Sequence, residues 1–298
     1  MTVHEQNPEP SNPLGMDGIE FIEFATSQPQ ALGALLQTMG FMPVARHRSR
    51  EVMLYRQGSM NLIVNAHADV LAGMSAPAAT PAISAIAFRV RDAGQAWRRA
   101  LELGAWEMPT RASAMELNIP GIHGVGDSLL YFVDRHREFS IYDVDFVALP
   151  GMDPQPPAIA NLHFFGVVQS IFDDRSDDWI DFYTQLLGFS VLPGGQYFGI
   201  LPKGTLLEAP CHTFYMQLLE PPPGAEDVEW EERLLRIGLG APDVPAAVRA
   251  LRERGVVFVD RDPIQPSDKG ALTQVYLGGV MFELVRSQLA GPRPGRPE

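Results

Sequence analysis

The chain has 298 residues, 46% of them hydrophobic and 20% charged, with a formal charge of -13 at pH 7. That length allows two domains with full cores. The acidity argues against a surface of clustered Lys and Arg, which sets aside nucleic acid and anionic membrane as partners. The single cysteine, Cys211, excludes an intramolecular disulfide or a cysteine-cluster metal site and fits a cytoplasmic setting.

The opening MTVHEQNPEPSNP reads as a polar tail over 1–12, without the basic and apolar stretches of a secretory signal. GIEFIEFA (18–25) alternates apolar and acidic residues, the pattern of a half-buried strand. Thr26 and Ser27 are candidate caps for the helix QPQALGALLQTMG, which should stop at Gly40. EVMLYRQG and MNLIVNAH then pair as strands about a Gly-Ser turn. A second unit follows the same plan: AISAIAFRV (82–90), the helix DAGQAWRRALELG and the strand SLLYFVD. The Pro-rich LPGMDPQPPA (149–158) is the best candidate for a domain boundary.

Beyond it the plan recurs twice. IANLHFFGVV leads to the helix SDDWIDFYTQLLG and to TFYMQLLE; RLLRIGLG leads to DVPAAVRALRERG, LTQVYLGG and VMFELVR. No apolar run reaches the ~20 residues of a transmembrane helix. The helix ends MGF (39–41) and LGF (187–189), and LELGA (101–105) and RERGV (252–256), repeat at offsets of 148 and 151 residues, as an internal duplication would give. The expected fold is α+β: tandem βαβββ modules forming two half-open barrels of mixed sheet around cavities. The expected domains are 13–148 and 159–288, with 149–158 as linker and 289–298 as a second tail.

Three residues carry the candidate chemistry. His163, Arg236 and Glu283 are each expected mid-strand and on one face of their strands. A His–His–carboxylate set in that arrangement would be a facial triad for non-heme ferrous iron. Arginine has no lone pair and stays protonated, so Arg236 cannot fill the middle place. Glu283 lies in an apolar strand and needs a cation: a metal, or Arg236 in a two-pronged salt bridge. In a third arrangement Arg236 clamps a carboxylate ligand. Gln217 offers an amide oxygen as a third ligand beside His163 and Glu283, or a hydrogen-bonding wall. His212 reads as a strand-end histidine; His47, His67, His123 and His136 read as structural or exposed. Asp173, Asp174, Asp177 and Asp178 read as helix N-terminal charge.

On these segments the chain resembles the 4-hydroxyphenylpyruvate dioxygenase family of the vicinal-oxygen-chelate, glyoxalase-like superfamily. The specific part is residues 13–150: GIEFIEFA, HRSREVMLYRQGSMNLIVN, IAFRVRDAGQAWRRALELGA, MELNIPGIHGVG and SIYDVDFV. The second half matches more loosely, through WIDFYTQLLGF, LRERGVVF and FELVR. The resemblance implies a structural, dimerising first half and an Fe(II) site in the second, with ligands at the positions of His163, Arg236 and Glu283. It also implies that Gln274 lines a substrate pocket. The loop DRDPIQPSDKGAL (260–272) and the segment after Glu283 are short for the family.

The implied function is Fe(II)-dependent oxygenation of an aryl 2-oxo acid in tyrosine catabolism, with iron binding reduced or lost because Arg236 replaces a His. One alternative is a metal-free protein that binds an aromatic or 2-oxo acid through Arg236. A second is another metal-dependent lyase or isomerase using His163, Gln217 and Glu283. A third is a structural or partner-binding homodimer.

Overall fold

The computed structural model describes residues 12–288, except 72–79, 110–115, 127, 137–138, 195–203, 223, 225–229 and 260–266. Both tails, and most of the short loop before residue 272, lie outside the described residues. The first half supplies strands β1 (Gly18–Ala25), β2 (Met42–His47), β3 (Val52–Gln57), β4 (Met60–Asn65), β5 (Ala82–Arg89), β6 (Gly121–His123), β7 (Leu129–Val133) and β8 (Phe146–Ala148). Its helices are α1 (Pro29–Thr38), α2 (Ala68–Leu71), α3 (Ala93–Glu102) and α4 (Ile141–Asp145). The second half supplies β9 (His163–Ser170), β10 (Ser190–Val191), β11 (Thr205–Glu208), β12 (Tyr215–Leu219), β13 (Arg233–Ala241), β14 (Gly270–Leu272) and β15 (Phe282–Arg286). Helix α5 (Ser176–Asp181) continues into a π turn over Phe182–Leu186, and α6 is Val244–Glu253.

These strands form two open mixed sheets, ordered β6-β7-β5-β1-β4-β3-β2-β8 and β10-β11-β12-β9-β13-β15-β14. The α+β class stands as expected; neither sheet closes into a barrel. Each centres on one antiparallel pair, β1/β5 or β9/β13, flanked by parallel partners. The registers superimpose. Ile86 lies six residues before the helix cap Asp92, as Ile237 does before Asp243. Ile86 pairs with Ile22 and Leu130, and Ile237 with Val167 and Phe282. Thus Glu23 corresponds to Val168, Ala85 to Arg236 and Tyr131 to Glu283.

Local chemistry explains the helix ends. Asp92 Oδ1 accepts from Gln95 N at 2.7 Å, and Asp243 Oδ1 from Ala246 N at 2.8 Å; such caps stabilise by about 1 kcal/mol each. Thr26 Oγ1 accepts from Gln28 N at 2.9 Å, two residues before the cap position Gln28 of α1, which starts instead on Pro29. Gly40 ends α1 at φ 95°, and a Cβ there would overlap Ile159. Glycine meets both demands.

The apolar core is continuous across both halves. Phe88 of β5 stacks on Phe214 with centroids 5.7 Å apart and planes 15° from parallel, and Phe189 packs edge-on against both. Burying each such ring contributes about 1.5–3 kcal/mol. The Pro-rich stretch lies along the β3–β4 turn, where Gly58 N donates to Pro156 O at 2.8 Å and Arg56 Nη1 to Pro154 O at 2.7 Å.

One strand departs from expectation. The acidic residues of β1 do not face solvent. Glu20 is buried and receives Arg89 Nε and Asn61 Nδ2. Glu23 lines a cavity. The expected half-buried strand is instead buried at seven of its eight positions, and register shifts against β5 between Ile19 and Phe21 and between Glu23 and Phe24 break the period of two.

Candidate functional site

The second sheet brings Arg236 and Glu283 together because β13 and β15 run parallel, with Gly238 opposite Glu283. Arg236 Nε donates to Glu283 Oε2 at 2.9 Å, and each residue is only 4% exposed. The contact is not the two-pronged fork expected: Arg236 Nη2 is buried without a hydrogen-bond partner.

His163 is the first residue of β9 rather than mid-strand, and it is half-buried. It pairs with Gly240, and a Cβ on Gly240 would overlap its ring. Its Nδ1 lies 3.2 Å from Asn161 O and its Nε2 3.0 Å from Ser287 Oγ. A carbonyl can only accept, so the contact with Asn161 places the proton of the neutral ring on Nδ1, and Nε2 accepts from the Ser287 hydroxyl. Burial holds the His163 pKa below its usual value, opposed by the Asn161 carbonyl.

Gln217 and Glu283 line one small cavity of about 20 Å³, with Phe165, Tyr215 and Gly238. That space is about the size of one water. Gln274 is exposed, and its backbone N donates to Val257 O at 3.0 Å. It is not among the residues lining this cavity, while its neighbour Thr273 is buried and bridges to Phe258. His212 is exposed and pairs with Glu208 at 2.9 Å, as a strand-end histidine should. Among the described residues, no three His, Cys, Asp or Glu side chains converge to hold a metal ion.

Sequence reasoning missed a cavity in the first half. About 300 Å³ is lined by Glu23, His47, Arg50, Glu116, His123 and Asp145 among others. His47 and His123 therefore belong to a cavity wall. The two acidic residues of β1, Glu20 and Glu23, were the available signal. Among the described residues no helix is long and apolar enough to cross a membrane.

Known proteins resemble the chain in both halves. A family model described as hydroxyphenylpyruvate dioxygenase, HPPD, N-terminal, matches residues 10–147. A 4-hydroxyphenylpyruvate dioxygenase of Pseudomonas sp. (strain P.J. 874) is 40% identical over 197 residues, 64% of this chain. The chain spans only 55% of that protein's length. A 4-hydroxyphenylpyruvate dioxygenase of Pseudomonas aeruginosa is 30% identical over 327 residues, covering 93% of this chain and 90% of the relative. A solved xylose isomerase-like TIM barrel/4-hydroxyphenylpyruvate dioxygenase fusion protein matches with a TM-score of 0.73 at 23% identity, covering 97% of this chain and 51% of the fusion. At that identity the likeness concerns the fold.

Proposed function

Because the chain belongs to the 4-hydroxyphenylpyruvate dioxygenase family, we propose that it keeps that family's scaffold for a small aromatic oxo acid while ferrous oxygenation at the second sheet is impaired or lost. One observation carries this reading: the buried hydrogen bond from Arg236 Nε to Glu283 Oε2 at 2.9 Å. It occupies a carboxylate oxygen that a metal would need, and the guanidinium has no lone pair to offer in exchange. A fixed positive charge about 4 Å from a cation opposes its binding by about 4 kcal/mol per unit charge at an effective dielectric of about 20. His163 Nε2 already accepts from Ser287. These residues do not fit a ferrous ion, and no reaction step is assigned to one.

A second reading is favoured by the unpartnered Arg236 Nη2. A buried N–H without an acceptor costs about 1–3 kcal/mol, and a ligand carboxylate would supply the acceptor. The cavity at Glu283 holds about 20 Å³ and Arg236 does not line it, so a ring-bearing acid requires the walls around Glu283 to part.

The test is anaerobic reconstitution with ferrous iron, metal analysis by plasma spectrometry, and oxygen uptake with 4-hydroxyphenylpyruvate. The expected result is iron far below one per chain and no oxygen uptake above background. Tight stoichiometric iron would overturn the proposal. Calorimetry with 4-hydroxyphenylpyruvate on the parent and on Arg236→Ala reads the second possibility; equal binding by both rules out the clamp.

A further inference from the structure

The cavity of the first sheet has no part in the site above, and its chemistry differs. It occupies the face equivalent to that of Arg236 and Glu283, with the residue types exchanged. Ala85 stands where β13 has Arg236, and Tyr131 where β15 has Glu283. The carboxylate has moved to the first strand, as Glu23. The space here is about 300 Å³, against about 20 Å³ beside Glu283.

Its polar groups favour a positive guest. Glu23 Oε1 accepts from Ser84 Oγ at 2.8 Å and Oε2 from Asn65 Nδ2 at 3.2 Å, which fixes the carboxyl group in place. Burial pushes the Glu23 carboxyl above its usual range, against the effect of these hydrogen bonds and of Arg50. Arg50 is the one Lys or Arg side chain in the described wall, and it is held by Glu116 through a hydrogen bond from Nε to Oε1 at 3.1 Å and a second one from Nη2. Of the other acids in the wall, Asp69 lies 3.5 Å from His67 Nε2 at the exposed rim and Asp145 Oδ1 accepts from Leu117 N at 3.1 Å, so Glu23 is the acidic group set inside the cavity. His47 adds no charge at neutral pH: burial lowers its pKa, and Ser49 N donates to its Nδ1 at 3.2 Å, leaving the proton of the neutral ring on Nε2. The walls are aromatic. Phe21 and Tyr131 lie with centroids 6.0 Å apart, and Phe146 packs edge-on against His47 at 5.3 Å.

We infer that this cavity is a second binding site, for a small aromatic amine whose ammonium pairs with Glu23 and whose ring lies among Phe21, Tyr131 and Phe146. A cavity of about 150 Å³ accommodates a benzene ring, so the volume here admits a ring with a short side chain. An ammonium in a partly desolvated site gains from a fixed carboxylate and from aromatic faces together. An anionic aryl acid would face the Glu23 carboxyl group instead.

The test uses the full-length chain and three isosteric probes: 2-phenylethylamine, 2-phenylethanol and phenylacetate. Calorimetry should show saturable binding of the amine at one site per chain, with the alcohol about tenfold weaker or worse and the acid undetected. Glu23→Gln, checked for an unchanged circular dichroism spectrum, should weaken the amine to the level of the alcohol. A readout needing no variant is proton NMR of the parent, in which the imidazole signals of His47 and His123 should shift with the amine while those of His163 and His212 stay fixed. Equal affinity for amine and alcohol, preference for the acid, shifts confined to His163, or no saturable binding would each overturn the inference. None of these outcomes depends on iron or on Arg236.

Discussion

Arg236 Nε meets Glu283 Oε2 at 2.9 Å with both side chains out of solvent, while Nη2 of the same guanidinium meets no acceptor. Breaking a buried pair by removing one partner strands the other charge, so Arg236→Ala should lose about 3–5 kcal/mol. Replacing both partners by apolar residues of similar size, Arg236→Met with Glu283→Leu, should recover most of that. Urea denaturation of the three proteins reads both effects. A single variant as stable as the parent would mean that the pair contributes nothing to the fold.

Arg236→His removes the opposing charge and places an imidazole next to Glu283. Iron affinity should rise, yet His163 Nε2 still accepts from Ser287 Oγ at 3.0 Å. Adding Ser287→Ala should therefore raise affinity again, measured by competition with a ferrous chelator. If the double variant binds iron no better than the parent, the strand positions do not converge on a metal.

Gly240 lies beneath the His163 ring. Gly240→Ala pushes that ring away from Ser287 and should cost about 1–3 kcal/mol as an overpacked contact. His163→Ala in the same chain should remove most of the penalty, giving a coupling in a double-mutant cycle. Additive effects would place the strain elsewhere.

The histidines set the sign of one pH effect. Burial lowers the folded-state pKa of both His47 and His163 from 6.5. Their contribution to stability is fully present above the unfolded value and is lost as pH falls through 6.5 toward the folded value. Glu23 acts in the opposite sense: its raised pKa means a contribution that is lost as pH rises from 4.5 through the folded value. Imidazole titrations by NMR should give midpoints below 6.5 for His47 and His163, and His163→Gln should flatten part of the loss of stability below pH 6.5.

Tyr183 Oη donates to Gln169 Oε1 at 2.7 Å inside the core, and Gln169 Nε2 is already without a partner. Tyr183→Phe leaves the second polar end of Gln169 unmet and should cost about 1–3 kcal/mol. Thermal unfolding of Tyr183→Phe, alone and with Gln169→Leu, checks this. The second change should restore stability.

The strands and long helices were legible because hydrophobic period and cap residues act locally. Asp92, Asp243 and Gly40 each mark an end that neighbouring residues alone determine. The π turn at Phe182–Leu186 had no such mark. It forms where Tyr183 turns inward against Phe189 and Gln169, a demand of packing. The Arg236–Glu283 contact could be argued from the expense of a carboxylate in an apolar strand. Which guanidinium nitrogen makes it depends on the parallel β13/β15 register, which no local pattern encodes. The first-sheet cavity was hidden for a related reason. Glu20 and Glu23 have the same side-chain chemistry three residues apart on one strand, and only Arg89, Asn61, Ser84 and Asn65 distinguish a buried ion pair from a cavity wall.

The stacking of Phe88 on Phe214 ties the two halves into one cooperative body. Deleting the second half would uncover an aromatic surface on the first and invite aggregation. The strands of the second half therefore hold the first half's aromatic face out of water, whatever ligand the second sheet takes.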